Sequence, residues 1–358
     1  MDEKLRVGIL GVGTFATAMH VPVLKATGRA TIAAVCRRNE RLLAMAKEHI
    51  GAEEAYTDWR EMLDKAKLDA VVVCTPHDLH CEQTIAALDR GLHVLVEKPM
   101  ALTAEDGWAM VAAAERADRV LMVAYDNRMG ATQRTIKAVL DQGRVGRIRQ
   151  VTVTTASYYN WFFTSGIIPE NLLTMGFEMS GLPAEFYNNG HILENYWRST
   201  TQQTGGGLFV DRGSHGIDLA LWFGGAPATE VVAFMDATAP EIERFVAMQA
   251  RLENGVLVSF SSSDINEDVQ QYAPMNIVGE DGVLMRDSMG IRIQTARGVE
   301  EIEAQGPDLY SPFAFVSCIL DGTPNPIPGE AGAHAAALME AAYLSAAEGR
   351  IVSVASPS

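Results

Sequence analysis

Gly11-Val12-Gly13-Thr14-Phe15-Ala16 decides the fold of this chain, because of what stands on either side of it. The run Leu5 to Leu10 before it is apolar throughout, as in a strand covered on both faces. After it, helical periodicity runs to about Ala26, and a second strand-like run covers Ala30 to Cys36. A GxGxxA pattern alone is weak. Set between a strand and a helix, with another strand about 20 residues on, it is a strong sign of a dinucleotide-binding βαβ unit. Glycine lets the backbone approach a pyrophosphate, and the helix start offers free N–H groups and a partial positive charge.

The alternation continues for five more segments: a strand at Ala70 to Cys74 ended by Thr75-Pro76, a helix from His80 to Arg90, and a strand at His93 to Val96 closed by Pro99, followed by a helix over Ala104 to Ala117 and a strand at Val120 to Ala124. Residues 1–125 therefore read as an α/β dinucleotide-binding domain. Beyond them, a helix over Ala131 to Gln142 leads into strands that alternate in polarity, the first at Gln150 to Thr154. Phe245 to Leu252 and Val256 to Ser262 flank Asn254-Gly255, which predicts a type I′ hairpin, and Asp281-Gly282 predicts a second hairpin. Residues 126–358 read as an α+β domain with a largely antiparallel, open-faced sheet. Its bare face calls for another copy, so a homodimer or homotetramer is expected. The Ala-rich helix Ala331 to Glu348 is expected to pack back toward the first domain.

The chain has 358 residues, 48% hydrophobic and 21% charged, enough for two cores. A net charge of −16 argues against nucleic acid, which is held by clustered Lys and Arg. No apolar run approaches the roughly 20 residues that cross a bilayer. The first residues lack a signal-peptide pattern, so a cytoplasmic protein that does not bind membranes is expected. Cys36, Cys74, Cys81 and Cys318 form no CxxC pair and read as free buried thiols.

Three further segments carry the chemistry. Cys36-Arg37-Arg38-Asn39 ends the second strand without the acidic residue that would accept from a ribose 2′-OH. Two guanidinium groups there favour a 2′-phosphate, hence NADP over NAD, unless they are only solvated charges before the next helix. Glu97-Lys98-Pro99 closes a strand at the sheet's carboxyl edge, where the Lys98 ammonium can stabilise a developing alkoxide; taken alone, it would be an ordinary exposed lysine. Asp211, His215 and Asp218 are spaced i, i+4, i+7 and share one face of a helix. A carboxylate and an imidazole side by side can orient a hydroxyl and take its proton, although a helix cap and a core histidine would look the same. Asp-x-x-x-His also has metal-ligand spacing, but no third ligand stands near in sequence and no metal is expected.

Taken in order, Gly11-Val12-Gly13 with His20 and Pro22, Thr75-Pro76 with His80, Glu97-Lys98-Pro99 and Asp211-x-Gly213-x-His215-x-x-Asp218 resemble the glucose–fructose oxidoreductase/inositol dehydrogenase/rhizopine-catabolism (Gfo/Idh/MocA) family, as does the closing run from Tyr343 to Arg350. The resemblance implies a Rossmann domain followed by an open-faced sheet used for oligomerisation. It implies hydride transfer between a nicotinamide and a hydroxyl-bearing carbon of a sugar or inositol-like polyol. His215 would be the general base or acid, Asp211 its partner on the substrate hydroxyl, and Lys98 the polariser of the reacting oxygen. Cofactor contacts are expected from Gly11, Gly13, Thr14, Phe15, Arg37, Arg38, Thr75, Pro76, His77, His80, Glu97 and Lys98. Substrate contacts are expected from Lys98, Asn127, Arg128, Tyr159, Trp161, Trp197, Arg198, Asp211 and His215.

Two stretches depart from the family pattern. Asp126-Asn127-Arg128 stands where Arg followed by Phe is expected. The stretch from Tyr158 to Trp197 is long and aromatic-rich, suited to stacking on a sugar, closing over the cleft, or meeting another subunit. Two other activities fit the same residues less well. One is a redox-neutral glycoside hydrolase that keeps its dinucleotide bound. The other is a dinucleotide sensor, which would have no need of Lys98, Asp211 and His215.

Overall fold

In the computed structural model the described residues are 4–158, 182, 186, 201–237, 241–266 and 268–356. They form two sheets. The first contains β1 (Leu5–Leu10), β2 (Ala30–Cys36), β3 (Glu54–Tyr56), β4 (Ala70–Val73), β5 (His93–Val96) and β6 (Leu121–Val123). Its order is β3-β2-β1-β4-β5-β6 and every pair is parallel, the arrangement of a Rossmann sheet. The reversal of strand order between β1 and β4 opens a crevice at their carboxyl ends. Helices α1 (Val21–Ala26), α2 (Glu40–Ile50), α3 (Trp59–Lys65), α4 (His80–Leu88) and α5 (Ala104–Ala117) connect the strands. Val7, Ile9, Val71, Val72, Val73, Val94, Leu95 and Val96 are fully buried, as apolar runs covered on both faces must be.

After α6 (Ala131–Asp141), the second sheet runs β14-β13-β12-β11-β7-β10-β9-β8-β15. Its strands are β7 (Ile148–Ser157), β8 (Ala228–Met235), β9 (Phe245–Leu252), β10 (Leu257–Asp264), β11 (Met275–Gly279), β12 (Gly282–Asp287), β13 (Gly290–Thr295), β14 (Gly298–Ile302) and β15 (Val352–Ser353). All pairs are antiparallel except β7 with β10. In β9, Val246, Met248, Ala250 and Leu252 point inward, while their neighbours face outward. Helices α7 (Ser214–Gly224) and α9 (Gly329–Glu348) pack against this sheet, with α8 (Ser311–Asp321) placed near β5 and β6. Phe234, Phe245 and Leu257 remain exposed.

The chain then returns to the first sheet. Val123 N donates to Ile327 O at 3.0 Å, and Asn325 Nδ2 donates to Leu121 O at 2.9 Å. Gly107 lets α5 approach α9 closely: a Cβ there would sit 3.0 Å from Ala333 Cα.

One turn differs from its expected type. A type I′ turn needs positive φ at both central residues, yet Asp118 is the one described non-glycine with positive φ. Leu252 N bonds Val256 O across Glu253-Asn254-Gly255, so the hairpin uses a three-residue loop with Gly255 at φ 83°. The second hairpin turns at Glu280 and Asp281. All four cysteines are free, with Cys36 and Cys318 buried and Cys74 and Cys81 half-buried.

Candidate active site

The glycine turn is built for close approach. Gly11 has φ 83°, and a Cβ there would lie 2.6 Å from Cys74 O, so only glycine fits between β1 and β4. A Cβ at Gly13 would meet nothing nearer than 3.9 Å, which leaves its outer side open for a ligand. Helical backbone begins at Thr14 and passes through a π-helical turn, Ala16–His20, before α1. Thr14 is half-buried and Phe15 is exposed.

The π turn carries His20 into the floor of the crevice. His20 Nε2 lies 2.6 Å from Glu97 Oε1, and Glu97 Oε2 accepts from Lys98 N at 3.0 Å. The His20 and Lys98 charges hold Glu97 down at about 2 despite its burial, while its neighbours Cys74 and Glu97 hold His20 well above the usual imidazole value. His20 and Glu97 thus form an ion pair. With Cys74 they are the one group among the described residues whose ligand atoms gather within 4.8 Å, but the 2.6 Å bond accounts for two of the three without a metal.

Lys98 leaves the end of β5 and crosses to the second half of the chain. Its Nζ donates to Asp211 Oδ1 at 2.7 Å and to Asp211 O at 3.0 Å. Lys98 is 8% exposed and Asp211 is fully buried. Among the described residues two of the three ammonium N–H groups are therefore engaged, and one is left for a ligand.

Asp211 sits in a second π-helical turn, Phe209–Gly213, directly before α7. Such turns are uncommon and concentrate at functional sites. The turn corrects the simple i, i+4, i+7 face. Asp211 reaches Lys98, whereas Asp218 Oδ1 and Oδ2 take both arms of the Arg128 guanidinium at 2.6 and 2.7 Å. Arg128 is 7% exposed and also packs its guanidinium over Trp222, so it is committed within the fold rather than presented to a substrate. Asn127 lies exposed in the Asp126–Met129 turn.

His215 follows on α7, half-buried, with Nδ1 lacking a hydrogen-bond partner among the described residues. Burial, reinforced by the Lys98 and Arg212 charges, pushes its pKa down to about 3, so the imidazole is neutral near pH 7. The pairing expected from sequence would raise that value; Asp211 does act in that direction but is outweighed. The Tyr125 ring meets the imidazole edge-on at 6.0 Å, and its buried hydroxyl has no partner among the described residues.

His77 and His80 hold turns together. His80 is fully buried, with its nitrogens 2.9 Å from Pro99 O and from Thr75 O. That joins the turn after β4 to the Glu97-Lys98-Pro99 turn and leaves neither ring nitrogen for a cofactor. His77, 4% exposed, places Nδ1 3.0 Å from Thr204 O. Thr75 donates to Gln83 at 2.7 Å, and Thr75 and Pro76 are half-buried. Tyr159, Trp161, Trp197 and Arg198 lie outside the described residues.

Sequence reasoning missed Glu243. This carboxylate, 1% exposed, accepts from Gly207 N at 2.8 and 2.9 Å, from Phe209 N at 2.9 Å and from Tyr343 Oη at 2.8 Å. It caps the segment that delivers Asp211, from 36 residues away in sequence. A Cβ at Gly207 would lie 2.5 Å from Glu243 O, so the glycine there makes room for the cap.

Hydride chemistry at a hydroxyl-bearing carbon needs a place for a dinucleotide, a fixed positive charge for the oxygen and a base that is neutral at working pH. The edge between β1, β4, β5 and α7 offers all three, which is the equipment of a nucleotide-dependent oxidoreductase. Comparison with known proteins gives the family. Residues 5–125 match the oxidoreductase family with an NAD-binding Rossmann fold, and residues 181–285 match the GFO/IDH/MocA C-terminal domain. The chain belongs to the GFO/IDH/MocA oxidoreductase family. It is 25% identical over 359 residues to 1,5-anhydro-D-fructose reductase of Ensifer adhaerens, covering 98% of each chain. It is 24% identical to the NADP(+) scyllo-inositol 2-dehydrogenase of Bacillus subtilis, over 98% of this chain and 96% of that one. The WlbA dehydrogenase of Bordetella pertussis, solved with NADH and UDP-GlcNAcA, superimposes with a TM-score of 0.77 at 26% identity, covering 99% of this chain and all of the other. The chain is an NAD(P)-dependent oxidoreductase acting on CH–OH groups.

Proposed function

We propose that this enzyme moves hydride between a nicotinamide and a ring or chain hydroxyl of a sugar or inositol-like polyol, with NADP as its preferred dinucleotide. The observation that carries the reading is the Lys98–Asp211 bond across the cleft, beside an imidazole held neutral. When bound, the dinucleotide supplies a hydride acceptor or donor; Gly11, Gly13 and Thr14 would hold its pyrophosphate. His215 takes the proton from the substrate hydroxyl in the oxidative direction and returns it in the other. Lys98 directs its remaining N–H to the same oxygen and stabilises negative charge developing there. Asp211 fixes that ammonium from below as a positioning residue. It replaces the direct contact with the substrate expected from sequence, because it is fully buried.

The preference for NADP is supported by Arg37 and Arg38 at the end of β2, where no acidic residue stands. Relatives whose names specify sugars and inositols support the substrate class. The exposed Phe234, Phe245 and Leu257 on the second sheet support pairing of that face with a second copy. No helix among the described residues is long and apolar enough to cross a membrane, in keeping with a cytoplasmic site of action.

A panel of sugars and polyols, followed by absorbance of the reduced nicotinamide, tests the activity. At least one member should give stoichiometric NADP reduction. Silence across the panel with bound dinucleotide would overturn the reading. Sedimentation of the purified protein tests the pairing, with a monomer at micromolar concentration as the contrary result.

A further inference from the structure

Phe186 belongs to the long aromatic-rich stretch between β7 and α7, far in sequence from the glycine turn, yet it packs at that turn's edge. Its ring is 1% exposed, and the Arg37 guanidinium carbon lies 4.6 Å above the ring centroid. On its other bonds, Arg37 Nη1 donates to Val12 O at 3.2 Å, inside the glycine turn. Among the described residues no carboxylate pairs with Arg37. Lys98, Arg128 and His20, other cations drawn into the fold near the crevice, each have one. Burial without a counter-charge pushes the Arg37 guanidinium down to about 10. A partly desolvated cation of this kind is unfavourable until an anion meets it, and its field is strong because little water screens it. Arg38, by contrast, is exposed.

We propose that Phe186 is a cofactor-specificity residue: its ring pins the Arg37 guanidinium flat beside the glycine turn and excludes water from one face, so that this arginine reads the 2′-phosphate of the dinucleotide. This deepens the NADP reading above and rests on it. The choice between the two dinucleotides is then set jointly by the end of β2 and by a side chain supplied from the other half of the chain. A neutral 2′-hydroxyl gains little from an ordered guanidinium, whereas a dianionic phosphate gains two charge-assisted bonds.

The test is titration of the purified protein with NADPH and with NADH, read by reduced-nicotinamide fluorescence and independent of turnover. Phe186→Ala should weaken NADPH by roughly tenfold and NADH by less than about twofold. Phe186→Leu fills the space without an aromatic face, so it should lose most of the discrimination while keeping the melting temperature. Phe186→Tyr should restore it. Equal weakening of both dinucleotides in Phe186→Leu would show that the ring merely packs there, and tighter binding of both would show that it obstructs the groove; either result overturns the proposal. Discrimination that vanishes in Arg37→Ala but survives in Phe186→Leu removes the proposal and leaves the NADP reading standing. A wild-type protein that binds both dinucleotides equally removes both.

Discussion

Two buried ion pairs sit seven residues apart along one helical segment and do different work. Lys98 meets Asp211 across the crevice, and Arg128 meets Asp218 about two turns further along. All four side chains are at most 8% exposed. The difference lies in the cation. Arginine's planar fork saturates both oxygens of Asp218 and locks α7 against the Asp126–Met129 turn. Lysine's ammonium is a point donor with three hydrogens, and after its two bonds to Asp211 one remains for chemistry. Burial alone therefore does not mark a functional pair; a donor left unused beside an open crevice does.

The largest effect should come from breaking the closed pair. Arg128→Ala leaves the Asp218 carboxylate buried without its counter-charge, and should destabilise the fold by about 3–5 kcal/mol. The double replacement Arg128→Met with Asp218→Leu should recover most of that loss. Thermal or denaturant melts read both, and a double variant no more stable than Arg128→Ala would show that the pair matters for more than charge balance. At the open pair, Lys98→Ala and His215→Ala should each lower turnover by roughly 100-fold or more while dinucleotide affinity stays nearly intact. Turnover within a few-fold of wild type in either would remove the roles given to them. Glu243→Ala should come next, at about 1–3 kcal/mol of stability, because three backbone and side-chain donors lose their acceptor together. An unchanged melt would mean that water replaces the carboxylate.

Stability should also depend on pH. His215 sits at about 3 when folded against 6.5 otherwise, so the unfolded chain takes up its proton first. The stability this group contributes is complete above pH 6.5 and falls as pH drops toward 3. Glu97, held at about 2 against 4.5, acts in the same sense, its contribution falling between pH 4.5 and 2. His20 acts oppositely: its contribution is full below pH 6.5 and is lost as pH rises through its elevated folded value. For catalysis, the acid limb of kcat/KM should lie well below pH 6.5. A limb centred on 6.5 would mean that His215 is solvated and not held neutral by its surroundings.

Much of this was readable in the chain. The parallel sheet announced itself through apolar runs such as Ala70 to Cys74, since strands covered on both faces have no polar side to show. Lys98 was identifiable only through the family resemblance, since taken alone it reads as an ordinary exposed lysine. What the sequence could not provide was partnership. Spacing placed Asp211, His215 and Asp218 together, but it assumes 3.6 residues per turn, and the π turn at Phe209–Gly213 redirects the first of them. His80 was expected as a cofactor contact through the family resemblance, whereas both its nitrogens face backbone carbonyls. Glu243 had no local signal at all, since its role arises from three donors drawn from two distant segments.

The return of the chain to the first sheet has a mechanical consequence. Residues 325–328 bridge to β6, and Ala104 N, at the start of α5, donates to Glu340 of α9 at 2.8 Å. The first sheet is thus clasped along β6 and α5 to α9 and the segment before it, and α9 in turn packs against β8 of the second sheet. Prising the two sheets apart as rigid leaves would tear strand hydrogen bonds and the close contact of α5 with α9.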